Sequence, residues 1–150
     1  MSWSENCIII LRNMIGDNGA VPTYSDDSLE KMLVTAGVFV DVDAGFEYTI
    51  DLSTPDITPD PSSDQNFISL ICLKARTLIA DGEYRNAART ALSHRDGPAS
   101  IDTRARADNL KQVAKDSADE YARALESYNF GDGSVGIGIV SPYNANELYH

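Results

Sequence analysis

Apolar residues recur at intervals of three and four along most of this chain, which is the spacing of helices that bury one face. The first run, Trp3, Cys7, Ile8, Ile10, Leu11, Met14 and Ile15, predicts a short amphipathic helix with Ser4 as its cap, and Gly16-Asp17-Asn18-Gly19 ends it. Ser25-Asp26-Asp27-Ser28 is a second start signal, because Ser25 can accept from free amides and two aspartates favour the positive end of the helix dipole. Leu29, Met32, Leu33, Ala36 and Gly37 form its inner stripe, and the helix is expected to stop near Gly37. The next segment, Val38-Phe39-Val40-Asp41-Val42, is rich in β-branched residues. A hairpin of strands 38–42 and 46–52 is therefore expected across Asp43-Ala44-Gly45. Phe46, Tyr48, Ile50 and Leu52 alternate with Glu47, Thr49 and Asp51 as in a half-buried strand.

Residues 53–63 hold three prolines and read as a loop, with Ser63 or Asp64 capping the next helix. From Phe67 the apolar positions Leu70, Ile71, Ala75, Leu78 and Ile79 keep helical spacing. Ile68, Cys72 and Leu73 widen that surface enough to make this the central helix of the core. Asp81-Gly82 is expected to interrupt or kink it before a second piece over 83–93, where Ala87, Ala88 and Ala91 would let another backbone come close. His94 to Pro98 reads as a turn, and Asp102 or Thr103 opens a long, mostly exposed helix to about Tyr128, with Leu110, Val113, Ala114, Ser117, Tyr121 and Leu125 as its stripe. The fold class is thus mainly α: a small helical bundle over residues 1–130 with a β excursion near 38–52, followed by an extended glycine-rich tail over 131–150. In that tail Val135, Ile137, Ile139, Val140 and Tyr143 are too apolar for a plain solvated terminus. They are the candidate partner-binding residues, expected to dock on a neighbouring chain, for instance by adding an edge strand.

With 150 residues and 43% hydrophobic content, the chain supports one ordinary core. Its formal net charge of -11 argues against a large phosphate-binding face. The excess is uneven: residues 1–64 carry twelve Asp and Glu against two Lys and Arg, whereas residues 65–130 carry nine against ten. Such a division is common on solvated faces and also suits head-to-tail packing of identical subunits. Cys7 and Cys72 sit in apolar surroundings and read as small buried hydrophobes kept reduced. No run resembles a secretory signal or approaches the ~20 apolar residues of a membrane span, so the expected place of folding is a cytoplasm.

Candidate chemistry is sparse. Asp41-Val42-Asp43-Ala44-Gly45-Phe46-Glu47 offers three carboxylates near a glycine, but lacks the ligand offsets and the closing glutamate of a calcium loop, and reads as a solvated turn. His94 and His150 have no zinc spacing with the two separate cysteines, and neither joins a nucleophile and base. Gly133-Ser134-Val135-Gly136-Ile137-Gly138 lacks the flanking strand, helix and lysine of a phosphate loop. The expectation is a protein that is not an enzyme and uses no metal or cofactor.

The layout from residue 22 to 128 resembles the head-to-tail connector, or adaptor, proteins of tailed bacteriophages. The features that carry the resemblance are Tyr24-Ser25-Asp26-Asp27-Ser28-Leu29-Glu30 opening a helix, a β excursion at Phe46 to Asp51, the proline-rich bridge, and an apolar helix with Leu73-Lys74-Ala75. Ser93 to Thr103 then leads into a long polar helix bearing Tyr121. The resemblance implies a structural virion protein assembled in the host cytoplasm. It implies a homo-oligomeric ring, commonly of about twelve copies, between the portal protein and a tail or neck protein, with a C-terminal segment gripping the portal. Genome DNA would pass through without specific binding. From a different class, a small cytoplasmic regulatory or antitoxin-like binding module fits the same helical pattern.

Overall fold

A computed structural model describes the backbone of residues 2–93 and 99–147 and the side chains of residues 2–90 and 105–131. Among the described residues the architecture is a helical bundle with one two-stranded antiparallel hairpin. The expected turn at 94–98 lies outside the described residues.

Helix α1, Trp3–Ile15, starts two residues earlier than the pattern predicts. Ser2 accepts from the Glu5 amide and the Glu5 carboxylate accepts from the Ser2 amide, a reciprocal capping box that Ser4 could not form because Cys7 stands three residues on. Ser4 is buried inside the helix instead. Gly16 ends α1 in the left-handed region at φ 72. Beyond it, Arg12 holds the connecting loop by donating to Asp17 and Asp26, at 2.7 Å each, and to the Tyr24 carbonyl at 2.8 Å.

Helix α2, Asp26–Ala44, is capped by Ser25 as expected but runs seven residues past Gly37. Residues 38–42 are therefore helix, not strand. β-branched residues lower helix propensity by only a few tenths of a kcal/mol, whereas burying a side chain such as Val40 contributes about 1.5–3 kcal/mol. Leu33, Gly37, Val40 and Ala44 continue the inward stripe at helical spacing, so packing overrides local preference. Gly45 then closes the helix at φ 70, donating to the Asp41 carbonyl.

The hairpin consequently forms one element later. Strand β1, Thr49–Asp51, the centre of the alternating segment, pairs with β2, Asp56–Thr58, in the register Ile50↔Ile57. The stretch expected to be only loop thus contains a strand, because Pro55, Pro59 and Pro61 all fall outside the three paired residues and no ladder donor is lost. Asp51 organises the turn by accepting from the Ser53 and Thr54 amides and hydroxyls.

After a 3-10 turn at Pro61–Ser63, Asp64 caps α3, Gln65–Ser93, by accepting from the Phe67 amide at 3.0 Å. This helix is continuous through Asp81-Gly82, against the expected break. A helical glycine costs about 1 kcal/mol and does not by itself end a helix, and α4 packs alongside. Helix α4 begins at Ala99, ahead of the predicted start, and leaves helical geometry at Gly131, at φ 63 and ψ 175. Beyond that break residues 132–147 are helical, not extended: a helix satisfies its own amides and carbonyls, whereas a strand needs an edge to pair with.

Helices α3 and α4 are antiparallel, with Thr77 donating to the Ser117 carbonyl, Arg76 paired with Glu120, and Lys74 over the Tyr121 ring. Helix α1 runs parallel to α3, Cys7 lying level with Cys72, and α2 runs antiparallel to it. The contiguous core reaches Ile79 on α3 and Tyr121 on α4. Past Glu83, near the level where α1 ends and α2 begins, α3 and α4 continue as a two-helix arm for roughly 15 Å.

Candidate interaction surfaces

Three buried or half-buried phenols tie distant elements together. Tyr24 donates to Glu83 at 2.7 Å, Tyr48 to Asp64 at 3.0 Å and Tyr121 to Asp43 at 2.8 Å. Burial, and then the carboxylate that accepts each hydroxyl, pushes all three phenols above their ordinary value, Tyr48 to about 12. Because these folded-state values are raised, the stabilisation they carry is complete below the ordinary phenol pKa of about 10. It is lost as pH rises through the folded values. Alkaline titration followed by tyrosinate absorbance should therefore leave three of the seven tyrosines protonated well above pH 10, ionising together with the loss of helical circular dichroism. A single smooth titration of all seven near pH 10, with the fold intact, would contradict these bonds.

On the acid side, the Thr23 amide bond holds Asp17 below the usual carboxylate range, with Tyr24 and Arg12 adding to it. That contribution is present at neutral pH and lost as pH falls through the lowered value. Cys7 and Cys72, separate in sequence, meet in the core as free thiols. Cys72 donates to the Cys7 carbonyl at 3.9 Å, and the neighbouring Cys7 thiol together with burial raises the Cys72 pKa and keeps that thiol protonated.

A cleft of about 420 Å³ lies between the end of α1, α3 and α4. Met14, Ile15, Ile79 and Val113 supply its apolar lining, and Arg76, Glu83, Asp116, Glu120 and Arg123 its charged one. Arg76 pairs with Glu120, while its Nε has no hydrogen-bond partner among the described residues, and burial lowers its pKa. Such a cleft can accept an apolar side chain flanked by a polar group.

The carboxylates of Asp41 to Glu47 do not sit on one turn. Asp41 and Asp43 lie on the last turn of α2, and Glu47 comes after the Gly45 cap. Among the described residues no group of three or more His, Cys, Asp or Glu side chains is arranged to hold a metal ion, and no helix is long and apolar enough to cross a membrane. The side chains of Val135, Ile137, Ile139, Val140 and Tyr143 lie outside the described residues, as do those of His94 and His150.

The separation of charge is sharper in three dimensions than along the sequence. Between Met32 and Leu73 there are seven Asp and Glu and no Lys or Arg, and this segment forms the end of α2, the hairpin and the start of α3. The described arm side chains, 84–90 and 105–111, include Arg85, Arg89, Arg106 and Lys111 against one acid, Asp108. Summing over residues 65–130 hides this, because that range joins the arm to the acidic stretch from Asp116 to Glu126. Counting by helix segment would have revealed it. No family model, curated protein or solved structure matches this chain.

Proposed function

We propose that this chain is a structural subunit of the head-to-tail junction of a tailed bacteriophage, assembling as a ring between the portal protein and a tail or neck protein. The observation that carries the reading is the order of elements: two short helices, a small hairpin seated on the second, a proline-rich bridge, and two long antiparallel helices. From the second helix onward, that is the layout on which the resemblance to connector proteins rests. In a ring, the acidic balance has a use. A wall of like charge repels DNA phosphates, so a duplex can slide through without sticking. The terminal segment, with Val135, Ile137, Ile139, Val140 and Tyr143, would then serve to grip the portal. No part of this role requires an active site.

Sedimentation velocity on the purified chain and electron microscopy of particles from cells that make it test the proposal. The expected result is a closed ring of about a dozen subunits that co-purifies with virions and occupies the vertex between capsid and tail. A chain that never joins a particle, or a dimer held on one soluble host protein, would replace this reading with that of a regulatory binding module.

A further inference from the structure

We propose that the basic arm formed by α3 and α4 docks on the acidic hairpin end of a second copy of this chain. The inference rests on the reading of the protein as a self-assembling subunit, and it names the two surfaces that meet. The arm presents Arg85 and Arg89 one turn apart on α3, and Arg106 and Lys111 on the stretch of α4 that runs beside it. All four are exposed. Among the described residues Arg85 is paired with Asp81, four residues earlier on its own helix, and Arg89, Arg106 and Lys111 have no ion-pair partner.

At the other end, Glu47, Asp51, Asp56 and Asp60 are all exposed, and none lies in an ion pair among the described residues. Asp51 and Asp60 are held below the ordinary carboxylate range, chiefly by hydroxyl donors from Ser53 and Ser62, so they stay charged over any ordinary pH.

The two surfaces cannot neutralise one another within a single copy. The hairpin packs at the level of Phe67, and Arg89 is 22 residues further along a continuous helix, roughly 33 Å away. That separation is several Debye lengths, each about 8 Å at physiological ionic strength. An elongated subunit with unpaired cations at one end and unpaired carboxylates at the other satisfies both by meeting a second copy end to flank. A contact between two different surfaces propagates from copy to copy and closes when its rotation permits, which is the geometry of a ring. Charge complementarity also steers encounter and fixes register.

The test uses the full-length chain in sedimentation velocity at low and high salt. The variant Arg89→Glu, Arg106→Glu, Lys111→Glu and the variant Glu47→Lys, Asp56→Lys should each self-associate more than tenfold more weakly than the unaltered protein, while keeping its circular dichroism. Mixing the two should restore assembly, because each supplies the complement of the other. Self-association of the unaltered protein should weaken as salt rises. If both variants assemble like the unaltered protein, the docking surfaces are elsewhere and the inference fails, while the ring reading stands. If the arm variant loses only affinity for a DNA duplex used as probe, the arm serves phosphates and the inference fails in that direction. An unaltered chain that stays monomeric at low salt overturns both the inference and the ring on which it rests.

Discussion

Replacing Phe67 by alanine should lower the unfolding free energy by about 3–5 kcal/mol, the range for truncating a fully buried aromatic ring. Phe67 is completely buried, edge-on to Phe46 at 5.0 Å and tilted on Tyr48 at 4.2 Å, and Phe46 in turn stacks on Tyr128 of α4 at 4.9 Å. One side chain on the first turn of α3 therefore joins the segment after α2, the entry to the hairpin and, through Phe46, Tyr128 of α4. Little of the resulting hole can refill, because the neighbouring rings are held from several elements at once. A domain of this size has about 5–15 kcal/mol in all, so the variant should sit close to its unfolding threshold. Urea titration should show the midpoint falling sharply with the slope unchanged. Val21→Ala, at a position 89% exposed, should stay within about 0.5 kcal/mol of the unaltered chain. A loss below about 1 kcal/mol for Phe67→Ala would mean that this aromatic junction does not exist in solution.

Phe67 is legible as a core residue in the sequence because the stripe through Leu70, Ile71, Ala75 and Ile79 has one period and one phase. The same holds for α1 and the first half of α2, and for Ser25 and Asp64 as caps. Where period and propensity disagree, propensity misleads: the β-branched residues 38–42 belong to a helix because Val40 and Ala44 remain in phase with Leu33 and Gly37. The prolines mislead in the opposite direction, since a three-residue strand fits between Pro55 and Pro59. Partners distant in sequence leave no trace at all. Nothing local tells that Tyr121 meets Asp43 or that Cys7 faces Cys72, because such pairs are products of the packing. The basic arm is present in the composition but becomes a surface only because α3 is continuous past Gly82 and places Arg85 and Arg89 beyond the core.

Gly37 separates a residue that merely ends a helix from one that lets two elements touch. A Cβ placed there would stand 3.3 Å from the Cδ1 atoms of both Ile50 and Ile57, so the two strands close on α2 directly over this glycine. Gly37→Ala should be near neutral: it recovers up to about 1 kcal/mol of helix propensity and asks two flexible side-chain ends to retreat by a few tenths of an ångström. Gly37→Leu should behave differently. Its further carbons would enter space held by Ile50, Ile57 and Phe67, and overpacking of that kind costs about 1–3 kcal/mol or more. The easiest relief is for the hairpin to lift away, since a lone two-stranded hairpin has little stability of its own. Hydrogen exchange should then report lost protection at Ile50 and Ile57 with α1 and α3 still protected, beside a clear drop in melting temperature. Equal stability of the alanine and leucine variants would show that the strands do not rest on Gly37. Were the glycine affecting only the propensity of its own helix, both variants would gain and the hairpin would be indifferent to side-chain size, so the contrast between the two variants isolates the contact.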